Sequence, residues 1–129
     1  MTDLRSIVLV VDSNAGVRGL ARRILEREEY GVITAAGRHD AAALLESYGS
    51  TIAVLVTELR LVDGEGAGLA SHAVRKNPAL GVIYLSAGAE SDTQRTAGDP
   101  SRPVFVRKPF AVEDLTRAVS SAHAGATGR

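Results

Sequence analysis

A chain of 129 residues has the size of one domain and leaves no room for two. Fifteen basic and fifteen acidic residues cancel, so the positive footprint of a nucleic-acid binder is missing. With no cysteine there is no disulfide framework and no thiolate metal site, and no apolar run is long enough for a signal peptide or membrane span. These features predict a cytoplasmic protein that contacts neither nucleic acid nor membrane directly.

Ile7-Val8-Leu9-Val10-Val11 is an apolar, mostly β-branched run with no polar side, the pattern of a strand covered on both faces. Asp12-Ser13-Asn14 ends it and supplies candidate helix caps. Val17, Leu20, Ala21, Ile24 and Leu25 then recur at helical spacing, with Arg18, Arg22, Arg23, Glu26 and Arg27 on the outer face. Gly31 is placed to stop that helix. Val32 to Ala35 reads as a second strand. Ala41, Leu44, Leu45 and Tyr48 form a second helical stripe closed by Gly49. Ile52 to Val56 is a third apolar strand with Thr57 and Glu58 at its end, followed by a loop carrying Gly64, Gly66 and Gly68.

Leu69, Ala70, Ala73 and Val74 predict a third helix, stopped by Asn77-Pro78. Val82 to Leu85 is a fourth strand ending at Ser86. Val104 to Val106 is a fifth, followed by Arg107-Lys108-Pro109. Val112, Leu115, Val119 and Ala122 form the last helical stripe. Between Ala87 and Pro103 no aliphatic residue exceeds alanine in size, so a helix over 91–97 would have little to bury and is expected to be short and poorly ordered. The whole reads as one domain over 1–129, with its core at about 6–122 and a small, polar tail at 123–129.

Strands alternating with helices predict an α/β fold with a doubly wound, five-stranded parallel sheet. Its functional crevice lies at the carboxyl ends of the strands. The residues there are Asp12 and Ser13 after the first strand, Glu58 after the third, Ser86 after the fourth and Lys108 after the fifth. Two carboxylates, two hydroxyls and one ammonium are thereby expected on one edge.

The order Val10-Val11-Asp12, then Thr57-Glu58-Leu59-Arg60-Leu61 with Asp63-Gly64, then Ser86-Ala87, then Lys108-Pro109-Phe110 resembles the receiver domain of bacterial two-component response regulators. The resemblance runs over essentially the whole chain and implies the flavodoxin-like (βα)5 fold. It also implies roles. The family's acidic pair that binds Mg²⁺ falls on Asp12 and Ser13, its phosphoacceptor aspartate on Glu58, and its wider metal position includes Arg60. The hydroxyl residue after the fourth strand is Ser86, the lysine is Lys108, and the aromatic residue that rotates on activation is Phe105. Val62 stands where the family usually has proline, and Asp63-Gly64 matches an acidic-glycine pair of structural role. Partners implied are a sensor histidine kinase, a phosphotransfer protein or a downstream signalling protein. A homodimer through the fourth helix, fifth strand and fifth helix is also implied, though the apolar-poor stretch 87–103 weighs against it.

Two of these positions depart from the pattern, and both bear on acid chemistry. Phosphoryl transfer is mostly positioning and charge neutralisation. Ser13 in place of a carboxylate removes a full charge from a site for a strongly hydrated dication, so Mg²⁺ is expected to bind weakly. Glu58 is one methylene longer than aspartate, about 1.5 Å of extra reach. A displacement of about 1 Å costs on the order of 100-fold in rate. The longer carboxylate is instead expected to reach Ser86 and Lys108 and to act as a permanent anion.

Other readings stand beside these. Ser13 and Asn14 cap a helix equally well, and Asp12 and Lys108 make a structural ion pair equally well. Ser86 suits a strand-end backbone group. The arginine face of the first helix is either solvated or a docking surface for a kinase. Gly64, Gly66 and Gly68 are compatible with a phosphate loop but lack the order of a nucleotide-binding motif. His39, His72 and His123 share no spacing that suggests a metal or a phosphotransfer site. With five aromatics scattered along the chain, a flavodoxin-like cofactor carrier is disfavoured. The sequence therefore predicts a signalling and binding module rather than an enzyme. The alternative is a working receiver phosphorylated on Glu58 or Asp63 with Mg²⁺ and catalysing its own dephosphorylation.

Overall fold

The computed structural model describes residues 5–61, 63–87 and 104–127. In chain order it contains β1 (Arg5–Val11), α1 (Ala15–Arg27), β2 (Tyr30–Ala35), α2 (Arg38–Tyr48), a 3₁₀ turn (Gly49–Thr51) and β3 (Ile52–Glu58). There follow β4 (Arg60–Leu61), β5 (Gly64–Glu65), α3 (Gly66–Lys76), β6 (Gly81–Ser86), β7 (Val104–Arg107) and α4 (Val112–Thr127). The expected helix at 91–97 and the position of Val62 lie outside the described residues.

The five longer strands pair in parallel in the order β2-β1-β3-β6-β7, and β4 and β5 form a separate antiparallel pair. β1 lies inside the sheet, between β2 and β3, because its run from Ile7 to Val11 is apolar on both faces. Val8 and Val10 point to one side, where they meet Ile24 and Leu25 of α1 and Leu115 and Val119 of α4. Leu9 and Val11 point to the other, against Ala41 of α2 and Leu69 and Ala73 of α3. Val8, Leu9, Val10 and Val11 are all fully buried. Each such side chain contributes about 1.5–3 kcal/mol of transfer free energy. The sheet is doubly wound, as the alternating pattern requires.

Local corrections have clear causes. The helical stripes predict burial of Leu20 and Tyr48, but they are 38% and 42% exposed, whereas Ala21 and Ala41 of the same helices are fully buried. Val112, at the mouth of α4, is likewise exposed. Gly31 does not end α1. The helix stops at Arg27, Glu29 takes the left-handed turn with φ of 72°, and Gly31 already lies in β2 opposite Ile7. A non-glycine residue in that conformation costs about 1–2 kcal/mol. The early turn delivers Tyr30 into the core at 2% exposure, which offsets the strain. Gly49 does close α2, with φ of 53°. Gly66 and Gly68 belong to α3 rather than to a loop. The last helix continues to Thr127, so the segment expected as tail is helical over 123–127.

Candidate functional site

The ends of β1, β3 and β7 carry charge to one edge of the sheet. β1 places Asp12 one residue beyond its fully buried run, and the Asp12 side chain is itself fully buried. Its Oδ1 accepts from the Asn14 amide at 2.9 Å, and its Oδ2 from Lys108 Nζ at 3.0 Å. Its carbonyl accepts from Arg18 Nη1 at 2.7 Å. Lys108 follows β7, and its own amide donates to the Ser86 carbonyl at 2.7 Å. The strand-end backbone thus sets the lysine's starting point and Asp12 sets its direction.

Lys108 also reaches Glu58 Oε2 at 3.3 Å. The other Glu58 oxygen, Oε1, accepts twice from Ser13, from the amide at 2.9 Å and from Oγ at 3.1 Å. Every carboxylate oxygen of the pair therefore has a donor. Burial works against the Lys108 charge, but hydrogen bonding to Asp12 and the charges of Asp12 and Glu58 hold its pKa above the ordinary lysine value.

Asp12, Ser13, Glu58 and Lys108 are thus brought together as the strand-end rule predicts. Asn14, not Ser13, caps α1, since its Oδ1 accepts from the Val17 amide at 3.1 Å. Ser13 is turned to Glu58 instead. Ser86 is buried at the end of β6, the strand that pairs with β3. Phe105 is half-buried and packs on Tyr84, ring centroids 5.3 Å apart and planes inclined by 31°. Arg60 is exposed in β4, opposite Glu65 in β5.

Asp63 is committed elsewhere. Its Oδ1 accepts from the Arg38 amide at 2.6 Å and its Oδ2 from the His39 amide at 2.9 Å. It caps the first turn of α2 from the loop between β4 and β5. These backbone hydrogen bonds, from His39 and then Arg38, hold its carboxyl below the ordinary aspartate value. A group with a depressed folded pKa contributes stability above its unfolded pKa and loses it as pH falls through the folded value. Asp63→Ala should therefore melt a few degrees lower than the wild type at neutral pH. The gap should close in acid below the ordinary aspartate range, as read by melting curves across pH. A gap of constant size would show that Asp63 contributes no charge-dependent cap.

Sequence reasoning missed three residues. Gly66 is the first: a Cβ built there would lie 2.1 Å from the Glu58 carbonyl oxygen, and its amide donates to the Leu59 carbonyl at 2.8 Å. The glycine packed against the end of β3 is therefore Gly66, while Asp63 has a structural role at the start of α2. The other two are Arg18 and Arg22, read as part of a solvated face. Arg18 holds the Asp12 carbonyl, and Arg22 Nη2 donates to the Val32 carbonyl at 2.9 Å. Long side chains that start on an outer face and bend to backbone carbonyls of the sheet leave no periodic signal in a sequence.

The residues at the family's metal position do not fit Mg²⁺. The ion takes oxygen ligands in near-octahedral geometry, with one or two carboxylates and several waters. Here Lys108 already sits between the two carboxylates, and Ser13 presents donors, not a charge. Among the described residues no group of three His, Cys, Asp or Glu side chains is arranged to hold a metal. Nor, among them, is any helix long and apolar enough to cross a membrane.

Comparison with known proteins extends the picture. The chain is 27% identical over 120 residues to the sensor kinase CckA of Brucella abortus, covering 92% of this chain and 13% of that protein. It is 28% identical over 120 residues to the DNA-binding transcriptional regulator NtrC of Escherichia coli K12, covering 92% of this chain and 25% of that protein. The chain thus spans a quarter or less of these relatives' length. Among solved structures, a CheY-like receiver domain protein from Methanospirillum hungatei superposes with a TM-score of 0.83 at 21% identity, covering 98% of both chains. A receiver domain protein from Clostridium thermocellum gives 0.81 at 21% identity, over 92% of this chain and 94% of that one. The fold is accordingly the flavodoxin-like receiver fold. The family model for the response regulator receiver domain matches residues 8–120, and the chain belongs to that family of two-component signalling domains.

Proposed function

We propose that this receiver domain acts as a phosphorylation-independent protein–protein interaction module in two-component signalling, and not as an enzyme. The observation that carries the reading is the state of Glu58. Its carboxylate is gripped by two donors from Ser13 on one oxygen and by Lys108 on the other. An anion is thereby fixed where an activated receiver would hold a transient one. Switching a two-state domain takes only a few kcal/mol of differential interaction. A charge-assisted hydrogen bond is worth about 1.5–3 kcal/mol when shielded from water and less at a partly exposed site such as this one, where three of them act together. A permanent Glu58 thus supplies a bias of the right order without phosphate and without Mg²⁺. The partner is a sensor histidine kinase, a phosphotransfer protein or a downstream signalling protein. The likeness to segments of a sensor kinase and of a transcriptional regulator supports that class.

The competing reading is a working receiver that takes phosphate on Glu58 or Asp63. Asp63 has both oxygens engaged by the α2 backbone, which disfavours it as a nucleophile. Incubation with Mg²⁺ and acetyl phosphate followed by intact-mass measurement separates the two. The wild-type chain should show no phosphate adduct, and the double variant Ser13→Asp, Glu58→Asp should acquire one. A stoichiometric adduct on the wild type would overturn the interaction-module reading.

A further inference from the structure

We propose that Ser13 is a positioning residue for Glu58, and that the two form a metal-free clamp that takes over the work of a divalent cation at this edge of the sheet. The inference rests on reading Glu58 as a fixed anion, and it adds what fixes it. A divalent ion in a carboxylate site neutralises charge and orients oxygens. Here two carboxylates face one ammonium, leaving one net negative charge at the edge. Lys108 stands between Asp12 Oδ2 and Glu58 Oε2. The oxygen that Lys108 leaves over, Glu58 Oε1, is met by the amide and hydroxyl of Ser13 at 2.9 and 3.1 Å.

Geometry makes the two departures from the family pattern a single unit. Ser13 immediately follows Asp12, whose carbonyl is tied to Arg18 and whose Oδ1 is tied to the Asn14 amide. The backbone at 13 is held on both sides, so its N–H is aimed and not merely available. Only a carboxylate longer than aspartate has the extra reach of one carbon–carbon bond, about 1.5 Å, towards that N–H. A carboxylate at position 13 would face Glu58 with like charge and would need a cation between them. A hydroxyl there needs none.

The test is a melting-temperature cycle with and without Mg²⁺. Ser13→Ala should lower the melting temperature by about 2–4 °C in the wild-type background, the size expected for one partly exposed hydrogen bond to a charged group. In a Glu58→Ala background the same change should do nothing measurable. Ser13→Thr, which keeps the hydroxyl, should retain the wild-type value. About 10 mM Mg²⁺ against NaCl of matched ionic strength should leave the wild type unmoved and raise the melting temperature of Ser13→Asp by several degrees.

Equal losses from Ser13→Ala in both backgrounds would overturn the clamp. So would a Mg²⁺ response shared by the wild type and Ser13→Asp, or absent from both. The outcomes are separable from those of the phosphorylation test. A phosphate adduct on the wild type would remove the interaction-module reading and leave the coupling between Ser13 and Glu58 standing. Loss of the coupling would remove the clamp and leave the adduct result untouched.

Discussion

Lys108→Met should lower the unfolding free energy by about 3 kcal/mol, because it strands a buried carboxylate. The Asp12 side chain is fully buried and has two partners, the Asn14 amide and Lys108 Nζ. Removing the ammonium leaves one hydrogen bond to hold a charge that burial penalises by several kcal/mol. Glu58 loses its second partner in the same step, but at 19% side-chain exposure it can turn to water and costs less. Urea unfolding reads the change as a lower midpoint at constant slope. Adding Asp12→Asn should recover much of the loss, since a neutral amide tolerates burial with one hydrogen bond better than a carboxylate does. A loss below about 1 kcal/mol would show that Asp12 is neutralised by some other means. The pH direction also follows. The folded pKa of Lys108 is raised, so its contribution is complete below the ordinary lysine value and fades only as pH climbs through the raised one. The stability gap between wild type and Lys108→Met should therefore hold through neutral pH and shrink in alkali.

Gly66→Ala is expected to cost about as much, near 3 kcal/mol, from a single added methyl. That methyl would meet the Glu58 carbonyl oxygen at 2.1 Å, well inside contact distance, and the Leu59 carbonyl oxygen at 3.2 Å. The obstacle is strand-end backbone, which has no rotamer to yield. Either α3 slides off the sheet, exposing Leu69 and Ala73, or the end of β3 tilts and carries Glu58 away from Ser13. The neighbouring Gly68→Ala is the control. Its added methyl would meet nothing closer than an Arg38 nitrogen at 3.8 Å, and it lies inside the same helix. Replacing a helical glycine by alanine without a clash stabilises by about 0.5–1 kcal/mol. Opposite signs for two glycines two residues apart, read by thermal melting, would establish close packing as the cause. Losses of similar size at both would mean that glycine is needed at each for its backbone freedom.

Much of the fold was legible in the residues alone. The runs at 7–11 and 52–56 carry no polar residue, and only a strand covered on both faces accepts such a run. Once the strands were ordered by that rule, the residues following them named the site. Asp12, Glu58 and Lys108 do meet there because a parallel sheet brings the carboxyl ends of its strands to one edge. Element ends were less legible. Gly31 looked like a helix stop, but the demand to bury Tyr30 moved the turn to Glu29, a residue with no propensity for it. Propensity is worth about 1 kcal/mol per residue, and burial of an aromatic outweighs it.

The sequence by itself determined the alternation of strands and helices, the parallel sheet, and which residues stand at its functional edge. Those follow from hydrophobic period, which is a local property of the chain. Tertiary structure alone decided how the edge is wired. It turned Ser13 to Glu58 while Asn14 capped α1, sent Asp63 to the α2 backbone, and pressed Gly66 against the Glu58 carbonyl. In each case the choice lay between several partners that the residue's chemistry allowed equally. Distances between segments remote in the chain made the selection, and no local pattern encodes those distances.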